Sequence, residues 1–114
     1  MALTVLEVQL VKNTVGDLCH RKTNPALKDK LRFDYKIHNQ NVILLEIRPG
    51  WRNPKEFMEQ EFAKFQFIRT KRVWKLYWMR ASGKWENYEP APFSEDLGEL
   101  VDVVDEDSYC CFFG

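Results

Sequence analysis

A chain of 114 residues with 45% hydrophobic and 30% charged side chains has the size and make-up of one soluble globular domain with a real core, and its elements, taken in chain order, make residues 1–114 a single α+β domain. Its 14% aromatic content and zero formal net charge exclude an intrinsically disordered chain. No apolar run reaches the ~20 residues of a membrane span, and no basic, then apolar leader opens the chain, so it reads as cytoplasmic with no membrane partner.

Thr4-Val5-Leu6-Glu7 has the form of a capping box, in which hydroxyl and carboxylate each take the other residue's amide. Leu6, Leu10, Val11, Val15 and Leu18 then recur at three- and four-residue steps, which predicts an amphipathic helix over about 5–20. Arg21 and Lys22 suit its C-terminal end, and Asn24-Pro25 breaks it. From Leu31 the period falls to two. Leu31, Phe33, Tyr35 and Ile37 alternate with Arg32, Asp34, Lys36 and His38, and Ile43, Leu45 and Ile47 alternate with Leu44, Glu46 and Arg48. With Asn39-Gln40-Asn41 between them, these runs predict a β-hairpin closed by Pro49-Gly50. Residues 50–59 read as a loop. Strands follow at Glu61–Arg69, Val73–Arg80 and Trp85–Tyr88, joined by Thr70-Lys71-Arg72 and by Ala81-Ser82-Gly83-Lys84, where glycine supplies positive φ. Ser94 then caps a helix over about 95–105, with Leu97, Leu100, Val101 and Val104 as its apolar stripe and Gly98 weakening it. The ending Tyr109 to Gly114 is expected to dock on the core. The order predicts a five-strand antiparallel meander with an N-terminal and a C-terminal helix packed on the sheet.

Several blocks stand out along this order: Glu46-Ile47-Arg48-Pro49-Gly50-Trp51, Trp74-Lys75-Leu76-Tyr77-Trp78, Lys84-Trp85-Glu86-Asn87-Tyr88-Glu89-Pro90, Val104-Asp105-Glu106-Asp107 and Cys111-Phe112-Phe113-Gly114. The series resembles a family of small bacterial proteins catalogued only as a domain of unknown function, over nearly the whole chain. The resemblance implies a stand-alone bacterial protein. It carries no activity, ligand or catalytic residue.

Charge is strongly segregated. Every Lys and Arg lies between Lys12 and Lys84, and residues 86–114 hold nine acids and no cation. One reading is that the acidic end folds back on the basic part and neutralises it. Between Phe62 and Trp85 seven cations alternate with seven aromatics and no acid intervenes. Cations meet phosphates and aromatic rings stack on bases, so this pattern suits nucleic acid. The candidate binding residues are Lys64, Arg69, Lys71, Arg72, Lys75, Tyr77 and Lys84. Within Val73–Arg80, the Trp74, Leu76, Trp78 set is the better core face, leaving Lys75 and Tyr77 outside. On the competing view these aromatics are core and the cations a solvated face. The RNP consensus and zinc-finger spacing are missing.

Other chemistries are weaker. Asp34 on one strand and Glu46-Ile47-Arg48 on the next, with Glu7 near, could hold the metal of a nuclease, although Arg stands where a catalytic Lys is usual and cross-strand ion pairs imitate the pattern. Cys19-His20 with Cys110-Cys111 offers four zinc donors at unsuitable spacing, His38 has no evident orienting partner for catalysis, and the three thiols should be free. No phosphate loop or nucleophile elbow occurs, so no cofactor and no catalytic residue are expected. The expected function is a small non-enzymatic binding module, with nucleic acid as the favoured ligand. A protein–protein adaptor presenting its acidic C-terminal helix to a basic partner is the alternative. An uncovered sheet edge would permit a dimer.

Overall fold

The computed structural model describes residues 2–53 and 55–113; Met1, Pro54 of the expected loop and Gly114 of the expected tail lie outside the described residues. The chain forms α1 (Val5–Val11), a π-helical segment (Lys12–Gly16), α2 (Asp17–Lys22), then β1 (Arg32–His38), β2 (Asn41–Pro49), β3 (Phe57–Ile68), β4 (Val73–Met79), β5 (Trp85–Asn87), β6 (Phe93–Ser94) and α3 (Leu97–Glu106). This is an α+β architecture.

The capping box starts the first helix as its residues require. The Thr4 amide donates to Glu7 Oε1 at 2.8 Å and the Glu7 amide donates to Thr4 Oγ1 at 3.2 Å. The helical run continues without a break to Lys22, because the junction residues Val11, Lys12, Gly16 and Asp17 all keep right-handed helical angles. Its buried face is narrower than the apolar stripe. Val11, Val15, Leu18 and Cys19 enter the core, whereas Leu6 is 83% exposed and Leu10 remains exposed. The π-helical segment rotates the face of α1 relative to that of α2, and helix periodicity read at 3.6 residues cannot register that rotation. Gly16 lets the helix approach β1 closely, since a Cβ there would come within 3.3 Å of the Tyr35 ring.

Among the described residues, six strands form one antiparallel sheet ordered β1-β2-β3-β4-β5, with β6 also paired to β4. The sixth strand has no signal of its own in the sequence, being two residues long between Pro92 and the α3 cap. β3 begins at Phe57 rather than Glu61, so the last three residues of the expected loop are strand. Its segment Met58–Glu61 lacks apolar alternation but pairs residue by residue with Arg48–Leu45, and pairing to a partner strand overrides weak local pattern. A bulge places Phe62 as an extra residue between Ala63↔Leu44 and Glu61↔Leu45. The turned-in Phe62 ring packs on Phe33 and Phe113, with centroids 5.9 and 5.4 Å away.

Strand alternation divides the sheet into two faces. One carries Val42, Leu44, Ala63, Phe65, Trp74 and Leu76, which form the core with the apolar sides of the helices, including Leu97, Leu100, Val101 and Val104 of α3. Trp74 is 2% exposed, and Trp78 packs partly against the same cluster, so the Trp-rich face is the inner one. Tyr88, Phe112 and Phe113 close the core, and the tail is held because the Phe112 and Phe113 amides donate to the two Asp107 carboxylate oxygens at 3.0 and 2.7 Å.

Asp96, not Ser94, caps α3: its Oδ1 accepts the Gly98 amide at 2.9 Å. Ser94 belongs to β6, and its hydroxyl accepts the Asp96 amide at 3.1 Å. On the edge strand β1, the Phe33 amide donates to the Thr23 hydroxyl at 2.9 Å and the Tyr35 amide to Asp34 Oδ1 at 2.8 Å. Both amides are thereby withdrawn from pairing with another strand.

Candidate nucleic-acid interface

The outer sheet face is built by the residues that alternate with the core. Cross-strand register pairs Lys64 with Tyr77, Gln66 with Lys75, and Ile68 with Val73, while Phe93 of β6 lies opposite Lys75 and Trp85 of β5 opposite Met79. Three aromatics, Tyr77, Trp85 and Phe93, thus share a face with Lys64 and Lys75. β4 from Val73 to Met79 spans about 20 Å at ~3.3 Å per residue. Lys71 and Lys84 stand in the turns at its two ends.

These side chains are not equivalent. Lys64 Nζ sits 4.6 Å from the Tyr77 ring centre and 5.0 Å from that of Trp85. Burial lowers its pKa, with the Glu61 charge acting in the opposite sense. Tyr77 donates its hydroxyl to Gln66 Oε1 at 2.8 Å. Lys64, Tyr77 and Trp85 therefore form a packed cluster, with at least one face of each ring already taken by the ammonium. Phe93 differs: it is 62% exposed and, among the described residues, enters no ring–ring or cation–π contact. Beside it a shallow groove of about 220 Å³ is lined by Ile68, Lys71, Val73, Lys75 and Phe93.

Two candidate residues leave this face. Arg69 donates through Nη1 and Nη2 to the Glu7 carboxylate at 3.1 and 3.0 Å, and through Nη2 to the Ala2 carbonyl at 3.1 Å. It ties the N-terminal helix to the end of β3. Arg72, in left-handed backbone at φ 53°, lines a separate depression with Glu7, Leu10, Phe67, Trp74 and Glu95 on the helix side. Lys71 and Arg72, neighbours in sequence, thus serve opposite faces. Among the described residues, Lys64, Lys71, Arg72, Lys75 and Lys84 join no ion pair. Sequence reasoning missed Phe93. Its only signal is an aromatic held between Pro90-Ala91-Pro92 and a helix cap, outside any alternating run.

The acidic end folds elsewhere. Asp105 bridges Lys22 and Arg21, both at 2.9 Å, so α3 is tied to the C-terminal end of α2. Glu86 pairs with Arg80 at 3.3 Å. Glu95, Glu99, Asp102 and Glu106 remain exposed. Neutralisation by the acidic end therefore reaches the helical layer and one residue of the β4–β5 turn, not the groove.

The carboxylates considered for a metal do not meet. Asp34 pairs in register with Leu45 and Glu46 with Phe33, so the two acids point from opposite faces of the β1–β2 ribbon. Glu46 is ion-paired to Arg48, and Glu7 to Arg69. Of the four zinc donors, Cys19 is buried in the core, while His20 and Cys110 are exposed. Burial, helped by the Asp34 charge, pushes the Cys19 thiol up to about 12. Among the described residues no three His, Cys, Asp or Glu side chains form a metal-holding group.

Fold and face together define a small α+β sheet protein whose helices cover one side of the sheet and whose other side carries lysines and aromatics. The chain belongs to the family described as Domain of unknown function (DUF3024), whose model matches residues 3–114. No curated protein and no solved structure matches it. Among the described residues, no helix is long and apolar enough to cross a membrane.

Proposed function

We propose that this chain is a non-enzymatic binding module that docks nucleic acid on the outer face of β3 and β4. The observation that carries the reading is the pair Lys71 and Lys75 beside Phe93 and the Tyr77 cluster, with Lys84 in the turn at the far end of β4, each lysine without an ion-pair partner among the described residues. Unpaired lysines on a sheet attract phosphates and release counterions when they bind, while aromatic rings add a sequence-tolerant contact to bases. Lys64 serves chiefly to hold Tyr77 and Trp85 in place. Arg69 is withdrawn from the ligand by Glu7. A bacterial, cytoplasmic setting, where free thiols stay reduced, accords with this reading.

The test is fluorescence anisotropy of labelled single-stranded DNA, double-stranded DNA and RNA at about 50 and 200 mM salt. Binding should fall steeply with salt. Changing Lys71 and Lys75 together to Glu should weaken it by at least ten-fold and flatten the salt slope by about 1.4, or ~0.7 for each single-strand phosphate no longer neutralised. Absence of binding at low salt, or an unchanged affinity in the double variant, would remove the proposal.

One observation favours a second reading. Glu99, Asp102 and Glu106 are exposed and form no ion pair among the described residues, so α3 presents an anionic ridge suited to a basic protein partner. Reversing Glu99 and Asp102 to Lys would abolish that association and leave nucleic-acid affinity intact.

A further inference from the structure

We infer that the groove between Phe93 and the β3–β4 turn seats one unpaired base, so that the ligand class is single-stranded nucleic acid rather than duplex. The inference rests on the proposed outer-face docking and narrows it. Phe93 is the exposed ring on this face whose surface is not already covered by a cation among the described residues: Lys64 lies over both Tyr77 and Trp85. An exposed phenylalanine held in a fixed place needs a structural cause, and the chain supplies one on each side. The Leu76 amide donates to the Pro92 carbonyl at 3.0 Å, and Ser94 accepts the Asp96 amide at the head of α3. Phe93 is therefore pinned in β6 opposite Lys75.

The surroundings match a nucleotide part by part. Ile68 and Val73, a cross-strand pair, form an apolar floor. Lys71 and Lys75 stand at its rim, and no carboxylate lines it. A base lying on this floor against the Phe93 ring leaves its flanking phosphates within reach of the two ammonium groups. The groove, about 220 Å³, leaves room for a planar base. In a duplex the base faces are already stacked and unavailable to a side chain, so only an unpaired base can enter.

The decisive comparison uses three labelled probes of about a dozen nucleotides, a length within the site sizes of sheet-based single-strand binders: an oligothymidylate, an abasic strand of the same backbone, and a blunt duplex. Wild-type protein should bind the oligothymidylate about ten-fold more tightly than the abasic strand. Phe93→Ala should erase that preference while leaving abasic affinity and the salt slope as they were, and Phe93→Trp should retain it. Equal binding of thymidylate and abasic strands by the wild type, persistence of the preference in Phe93→Ala, or tighter binding of the duplex would each overturn the inference while the broader docking reading stands. Failure of all three probes at low salt would overturn both.

Discussion

Glu7 grips Arg69 through both terminal guanidinium nitrogens, from 62 residues away in the chain, while the same carboxylate closes the capping box with the Thr4 amide. One side chain thus starts a helix and fastens it to the sheet. Arg69 Nε is buried with no hydrogen-bond partner among the described residues, so this arginine depends on Glu7 to offset its desolvation. Glu7→Gln should lower unfolding free energy by about 1–2 kcal/mol, the sum of a weakened cap and a lost charged hydrogen bond. Urea denaturation measures it.

The same pair sets an acid dependence. The Arg69 hydrogen bond holds Glu7 below the usual carboxylate range, and Lys22, then Arg21, does the same for Asp105. A carboxylate whose folded pKa lies below its unfolded one adds stability that is complete above the unfolded value. That stability is lost as pH falls through the folded one. Urea midpoints should be flat near neutrality and decline below about pH 5, with a shallower decline in Glu7→Gln. An equally steep decline in the variant would show that Glu7 is not a source of it.

Gly83 sits at φ 84° in the β4–β5 turn, and a Cβ built there meets nothing within 4 Å. The conformation alone therefore decides the effect of substitution. Gly83→Ala should destabilise by about 1 kcal/mol, and Gly83→Asn by less, because asparagine tolerates left-handed backbone. Thermal melts of the two variants make the comparison.

Thiol chemistry should separate the three cysteines. Cys110 is exposed, burial raises the pKa of half-buried Cys111, and Cys19 is core with a thiol pushed up to about 12. At mildly alkaline pH an alkylating reagent should modify Cys110 first, Cys111 more slowly, and Cys19 only after denaturant is added. Peptide mass spectrometry reads the order. Early labelling of Cys19 would contradict its burial.

The C-terminal tail belongs to the core and should behave so. Phe112 is 9% exposed and packs on Tyr88 with ring centres 5.0 Å apart, whereas Tyr109 three residues earlier is exposed. Phe112→Ala should cost about 3–5 kcal/mol and Tyr109→Ala less than about 0.5 kcal/mol. Denaturant midpoints for the pair distinguish a docked tail from a loose one.

By itself the sequence determined the elements whose signal is local. Thr4 and Glu7 announce their capping box because the motif is completed within one helical turn. Alternation around Tyr35, Leu44 and Leu76 marks strands because side-chain direction reverses at every residue. Gly83 marks its turn because φ is a property of one residue. The Trp74 face was legible as core for the same reason as the strands. What the tertiary structure decided concerns partners distant in the chain. Glu7 takes Arg69 out of the candidate site, the register separates Asp34 from Glu46, and the β3–β4 turn sends Lys71 and Arg72 to opposite faces. β6, two residues long, exists only because β4 offers it an edge, and it turns Phe93 from an unremarked aromatic into an exposed ring on the outer face. A side chain's local pattern sets which way it points, but which group it meets depends on strand register and helix docking, and those follow from burying the whole core at once.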